Sequence, residues 1–272
     1  MRMNDAQLAQ YQRDGFIIFP GLFSKAEILA LRAETARLAA IKAETVIREH
    51  TGGVRSIFRV HEDDGATHSA AFRALVRTPR VLEPTMRALG GDVYVYHTKI
   101  NTKPAIEGTV WMWHQDYGSW KRDGCARPDM GTFAVMLSDS AEMNGALYVV
   151  PGSHKRGRIE PYYDENTSYK FWAVPKAEVV SVLQSSPPPV AITGPAGTCV
   201  LFHCNLLHAS GHNLSAEDRW HIYISFNACA NAPQFTEKSR PDWVVSRNTR
   251  PLPVETDELL ASPVSAVESR PA

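Results

Sequence analysis

Neither sign of charge is in surplus: Lys and Arg number 29, as do Asp and Glu, and neither is gathered into a long block. The basic patch that grips nucleic acid or an anionic membrane is therefore missing, and a small-molecule substrate is expected. Cysteine is scarce. Cys125, Cys199, Cys204 and Cys229 form no C-x-x-C pair and fall on or beside predicted strands, so disulfides and a thiolate zinc site lack a footing, and free thiols are expected. No run approaches the roughly 18 apolar residues of a membrane span. The opening Met1-Arg2-Met3-Asn4-Asp5-Ala6-Gln7 leads into a polar helical pattern instead of an apolar leader, which points to a cytoplasmic protein.

What is present is the make-up of a globular chain: 272 residues, 44% hydrophobic and 21% charged, enough to bury a full core. Asn4 is placed to cap a first helix, which breaks at Asp14-Gly15 before the apolar run Phe16-Ile17-Ile18-Phe19. Ser24-Lys25-Ala26-Glu27 is a capping box opening a helix expected to reach the mid-40s, and two further helical patterns, about 69–77 and 81–89, end at Gly90-Gly91.

Beyond residue 92 the segments 93–101, 109–115, 131–138, 146–150, 189–193, 198–203 and 219–228 are short, aromatic or β-branched, and divided by Gly, Pro, Asn and Asp. Helices first and strands afterwards predict a mainly β sandwich or barrel with helices packed outside it. One domain over residues 1–250 is expected, with a helical lead-in over 1–91 and the barrel over about 92–235. Residues 155–188 read as a long loop able to act as a lid. The tail 251–272, rich in Pro, Glu, Ser and Ala, reads as disordered.

Val110-Trp111-Met112-Trp113-His114-Gln115-Asp116 sets an imidazole and a carboxylate two residues apart at a strand end, hence on one face. With a second His from another strand, such donors take one face of an octahedral ion and leave the other for co-substrate and oxygen. Alone, His-x-Asp could equally be a structural pair. A distal stretch strengthens it: His208-Ala209-Ser210-Gly211-His212-Asn213-Leu214-Ser215, then Arg219, eleven residues beyond His208. Together with Pro151-Gly152-Ser153-His154 after Asn144-Gly145-Ala146-Leu147, these motifs resemble the phytanoyl-CoA dioxygenase family across about residues 93 to 228. Within it, Trp113-His114-Gln115-Asp116-Tyr117-Gly118-Ser119-Trp120 is most similar to the bacterial ectoine hydroxylases.

The resemblance implies a double-stranded β-helix, the jelly-roll or cupin-like barrel, binding Fe(II) through His114, Asp116 and His208. His203, His212 and His221 are rival third ligands outside the family register. It further implies 2-oxoglutarate and O2 as co-substrates, the distal carboxylate gripped by the planar fork of Arg219, with Lys99, Asn101 and Thr132 as further contacts. Trp120 matches a substrate-stacking Trp, and His97 and His221 stand where ectoine hydroxylases keep Gln and Asn. Both imidazoles can become cationic near neutral pH, so a small, amino-acid-like substrate carrying a carboxylate is expected, and ectoine itself is put in doubt. The reaction implied is hydroxylation with release of succinate and CO2; desaturation, cyclisation or epimerisation could follow the same hydrogen abstraction. A zinc hydrolase or a non-catalytic cupin-like binding module are the readings from other classes.

Overall fold

The computed structural model describes residues 3–108, 110–165 and 170–259. Both capping motifs form: Asn4 accepts from the Gln7 backbone N–H to start α1 (Asp5–Asp14), and Ser24 from that of Glu27 to start α2 (Lys25–Ala39). The remaining helices are α3 (Ala70–Leu75), α4 (Pro79–Leu89), α5 (Asp116–Trp120) and α6 (Lys176–Ser185). α4 stops at Gly90, whose φ of 78° is the left-handed conformation that glycine adopts without a Cβ penalty. α2 ends at Ala39, short of the expected mid-40s, because β-branched Val46 and Ile47 are drawn into a strand pairing with Ser56 and Ile57.

Apart from a two-stranded hairpin described below, the strands form two antiparallel sheets. The larger runs, in spatial order, β1 (Phe16–Phe19), β11 (Cys199–His203), β6 (Met130–Met136), β13 (Arg219–Ala228), β4 (Val93–Lys103), β3 (Val54–Phe58) and β2 (Val46–Arg48). The smaller runs β10 (Val190–Ile192), β7 (Leu147–Val149), β12 (His208–Ser210) and β5 (Trp111–His114). Among the described residues the sheets stay open and do not close into a ring.

The large sheet is apolar outside and polar inside, by strand alternation. Val95, Ile100, Phe133, Ile222 and Ile224 pack outward in one core with Leu31, Phe72 and Leu82 from the helices; burying each such side chain is worth roughly 1.5–3 kcal/mol. Phe16, Met136, Leu147, Val149 and Phe202 join the two sheets. Beside them the inward positions of β4, β6 and β13 carry His97, Lys99, Asn101, Thr132, Arg219, His221, Tyr223 and Ser225, aligned by the register His97↔Ser225↔Thr132 and Lys99↔Tyr223. A bulge at Tyr96, where Ser225 pairs His97 but Phe226 pairs Val95, lets Val95 face the outer core while Tyr96 and His97 both turn inward.

Residues 155–188 are not the bare loop that their composition predicts. They hold the hairpin β8 (Tyr162–Asp164)–β9 (Phe171–Ala173) and α6. Apolar anchors order them: Phe171 packs edge-on to Trp111 at 5.5 Å, and Val179 and Val182 join Val150 and Leu207 in a small core. Of the expected disordered tail, residues 251–259 are tied down by Leu252 N–H to Val93 C=O at 3.0 Å and by the Arg80–Asp257 pair at 2.6 Å; residues 260–272 lie outside the described residues. All four cysteines are free. No helix among the described residues is long and apolar enough to cross a membrane.

Candidate metal centre

β5 ends at His114, α5 begins at Asp116 and β12 begins at His208, and these termini converge so that one ligand atom from each lies within 4.8 Å of the others. Pairing of β5 with β12 sets His114 directly opposite His208. Each ring is pinned by its own backbone: His114 Nδ1 donates to the Met112 carbonyl at 2.7 Å and His208 Nδ1 to the Leu206 carbonyl at 2.9 Å. The tautomer follows, with protons on Nδ1 and bare lone pairs on both Nε2 atoms, the arrangement that orients metal-ligating imidazoles. Burial, and next the neighbouring His208, push His114 well below the usual histidine range. On Asp116 the oxygens divide: Oδ2 accepts from the Thr132 hydroxyl at 3.2 Å while Oδ1 faces His208 Nε2 at 3.8 Å. Two neutral nitrogens and one carboxylate oxygen, with space beside them, fit an iron(II) ion that keeps open positions. The rival histidines are elsewhere: His203 Nδ1 accepts from the Asn205 N–H at 3.0 Å, and His212 Nδ1 reaches the Gly108 carbonyl at 3.1 Å.

Two cavities meet at this cluster, sharing His97, Lys99, Trp111, His114 and Asp116. The inner one, about 420 Å³ with its mouth, reaches Asn101, Ser210, Tyr223 and Ser225. Lys99 Nζ lies 4.4 Å over the Trp111 ring, and burial lowers its pKa to about 8. Asn101 accepts from Ser56 at 2.8 Å. Thr132 lines this cavity too, and its hydroxyl bonds Asp116 at 3.2 Å and Ser225 at 3.1 Å. Farther along β13, Arg219 is fully buried, and its Nε and Nη2 find no hydrogen-bond partner among the described residues. A buried cation with an unmet edge is costly in free energy, and a carboxylate fits that need.

The outer cavity, about 680 Å³ with its mouth, is framed by Trp120, Phe171, Trp172 and Arg240, so the 155–188 excursion does supply part of its wall. Trp120 is buried against Tyr96 and His97, at 5.3 and 5.7 Å, and still borders the cavity. His97 borders both cavities, and its Nδ1 has no hydrogen-bond partner among the described residues. Burial first, then Arg240, Lys99 and His61, hold it well below the ordinary histidine pKa, so the cationic imidazole expected from sequence is a neutral one here. His221 borders neither cavity; its Nδ1 lies 2.6 Å from Arg219 Nη1. Sequence reasoning missed Arg240, which sits in an irregular segment and bonds buried Asp123 at 2.7 Å. It also passed over Tyr223, and over Ser210, which the distal motif contains.

The comparisons agree with this geometry. The model of the family described as phytanoyl-CoA dioxygenase matches residues 11–220. An ectoine dioxygenase of Nocardia farcinica is 36% identical, with 92% of this chain and 87% of that protein covered. An L-proline trans-4-hydroxylase of Streptomyces griseoviridis is 34% identical, covering 92% and 96%. The crystal structure of EctD from S. alaskensis with 2-oxoglutarate and 5-hydroxyectoine superposes with a TM-score of 0.81 at 29% identity, covering 94% of this chain and 89% of that one. The jelly-roll, cupin-like fold is thereby shown, as is the dependence on Fe(II) and 2-oxoglutarate. The chain belongs to the phytanoyl-CoA dioxygenase family and is an Fe(II)- and 2-oxoglutarate-dependent dioxygenase.

Proposed function

We propose that this dioxygenase hydroxylates a small, cyclic, amino-acid-like molecule carrying a carboxylate. The observation that carries the reading is the junction at the His114–Asp116–His208 cluster of an inner polar cavity with an outer one walled by Trp120, Phe171 and Arg240. Ectoine and L-proline, named for two relatives, are both small cyclic acids. Aromatic walls suit the ring of such a molecule and a guanidinium its carboxylate.

His114, Asp116 and His208 would hold the iron, and Arg219 the distal carboxylate of 2-oxoglutarate. Bound iron and 2-oxoglutarate supply the activation of oxygen and the removal of hydrogen from carbon. The chain's own residues hold and enclose. Thr132 fixes one Asp116 oxygen and thereby aims the other. Trp111 and Phe171 stand 6.3 and 5.3 Å from the His114 ring and keep water from its flank. Trp120 and Phe171 would set which substrate carbon faces the metal.

The test is aerobic incubation with Fe(II), ascorbate and 2-oxoglutarate against a panel of cyclic and N-substituted amino acids. Succinate formed in step with a product one oxygen heavier is expected for at least one acid. Succinate coupled to loss of two hydrogens, or to no mass change, would replace hydroxylation by desaturation or epimerisation.

A further inference from the structure

The sequence suggests that His221 meets the substrate; its surroundings argue for another task. On β13, Arg219 and His221 are two residues apart and so share the inward face, and both are buried. A guanidinium nitrogen can only donate, so at 2.6 Å His221 Nδ1 accepts from Arg219 Nη1. That direction fixes the imidazole as neutral, with its proton on Nε2. A protonated ring would set N–H against N–H and charge against like charge. The engaged nitrogen is Nη1, while Nε and Nη2 have no hydrogen-bond partner among the described residues. Those two form the side of the guanidinium whose N–H bonds run parallel, the edge that takes both oxygens of one carboxylate. Rotated about its Cδ–Nε bond, the same guanidinium would carry that edge in another direction.

We propose that His221 is a positioning residue for the co-substrate: by accepting from Nη1 it locks the Arg219 plane so that the Nε–Nη2 edge is presented to the distal carboxylate. This rests on the assignment of Arg219 made above. Its consequence is selective, for His221 should matter to 2-oxo acids that have a second carboxylate and not to those without one.

The test is anaerobic titration of the Fe(II)-loaded protein with 2-oxoglutarate and with 2-oxobutyrate, which lacks the distal carboxylate, following the visible charge-transfer absorbance of the chelated 2-oxo acid. In His221→Leu the Kd for 2-oxoglutarate is expected to rise about tenfold, which corresponds to about 1.4 kcal/mol, while that for 2-oxobutyrate stays within about twofold. His221→Gln, which keeps an acceptor, should recover most of the loss and carries the same comparison if the leucine variant does not fold. In an Arg219→Ala background His221→Leu should add nothing, the signature of a residue acting through another. An equal loss for both acids, no loss for 2-oxoglutarate, or a risen substrate KM with unchanged 2-oxoglutarate affinity overturns the inference. Should Arg219→Ala itself leave 2-oxoglutarate affinity intact, the Arg219 assignment falls; should it weaken binding while His221→Leu adds its full effect, only the role of His221 falls.

Discussion

His114 and His208 are register partners across the β5–β12 ladder, and their ring centroids lie 4.1 Å apart. Each spends its Nδ1 proton on the backbone carbonyl two residues earlier in the chain. Backbone hydrogen bonds thus choose the tautomers before any metal arrives, and the ladder sets the spacing of the rings. Only the carboxylate comes from outside it, from the first turn of α5.

That division of labour makes Asp116 the separable part of the site. Asp116→Ala is expected to abolish iron binding at micromolar metal and to lower succinate formation at least about a hundredfold, beyond the roughly 10–100-fold typical of changes one shell out. Its side chain retains 20% of its accessibility, so the metal-free variant should unfold within about 1 kcal/mol of the wild type. Iron content, turnover and a urea melt are the measurements. Full iron occupancy in the variant would remove Asp116 from the site.

Arg219 carries the second expectation. Arg219→Ala should weaken 2-oxoglutarate binding by roughly 2–5 kcal/mol, the usual cost of truncating one partner of a buried charge pair. Arg219→Lys should restore only part, since an ammonium cannot present two parallel N–H bonds. Calorimetric titration of the Mn(II)-loaded protein checks both, and an unaltered Kd in both variants would give Arg219 another role.

Lys103, opposite Arg219 in the β4–β13 register, gives a pH prediction. Burial first, then Arg219 and Arg55, lower its pKa to about 6, whereas in the unfolded chain it titrates near ~10.4. Between those values the unfolded state holds a proton that the native state lacks, so native stability climbs as pH rises from about 6 towards ~10. At neutral pH the penalty is on the order of a few kcal/mol, larger than the roughly 1 kcal/mol of the hydrogen bond that Lys103 makes to the Gly211 carbonyl. Lys103→Met should therefore raise the Tm of the apoprotein at pH 7 by about 3 °C or more and flatten the pH dependence between 6 and 9. A lower Tm with the slope unchanged would show that Lys103 stays charged in the fold.

The parts legible in the sequence were those written in local spacing. Helix caps, the His-x-Asp pair, the eleven-residue interval to Arg219 and the strand segments that became β4 and β13 each need only a few neighbouring letters. What could not be read depended on distant partners. β2 and β3 lie inside a helical-looking lead-in and exist because Phe58 and its neighbours can pair with β4. α6 and the β8–β9 hairpin owe their order to cores shared with Trp111, Val150 and Leu207. Arg240 belongs to no pattern, and its place is fixed by Asp123, 117 residues earlier. The histidines show the same limit. Position and facing were readable, yet protonation was not, because it depends on the cations gathered around each ring.

That last point changes which group should recognise a substrate carboxylate. His97 is buried among Arg240, Lys99 and His61 and is held well below the ordinary pKa, so between pH 6 and 8 it stays neutral and offers a hydrogen bond but no charge. Arg240 is a permanent cation on the outer cavity, steadied by Asp123, whose carboxyl is raised by burial and then lowered below the usual range by the charge and hydrogen bonds of Arg240. Once a substrate is in hand, the wild-type preference for the acid over its amide should therefore be constant from pH 6 to 7, below the range in which Lys99, on the same cavity and with its pKa lowered to about 8, gives up its charge. A cationic His97 would instead make that preference fall as pH rises through its pKa. Arg240→Gln should reduce the preference by about tenfold, toward the lower end for a charge pair because its side chain is 27% accessible. His97→Gln should lower kcat/KM for acid and amide alike, leaving their ratio within about twofold, as expected when a neutral hydrogen bond worth roughly 0.5–1.5 kcal/mol is altered. Because Arg240→Gln also leaves Asp123 with only Tyr96 and the backbone N–H of residue 240, Arg240→Lys serves as the control, keeping charge on both sides and most of the preference. A ratio that follows His97 and ignores Arg240, or that already declines between pH 6 and 7, where Lys99 keeps its charge, would return the carboxylate to the imidazole.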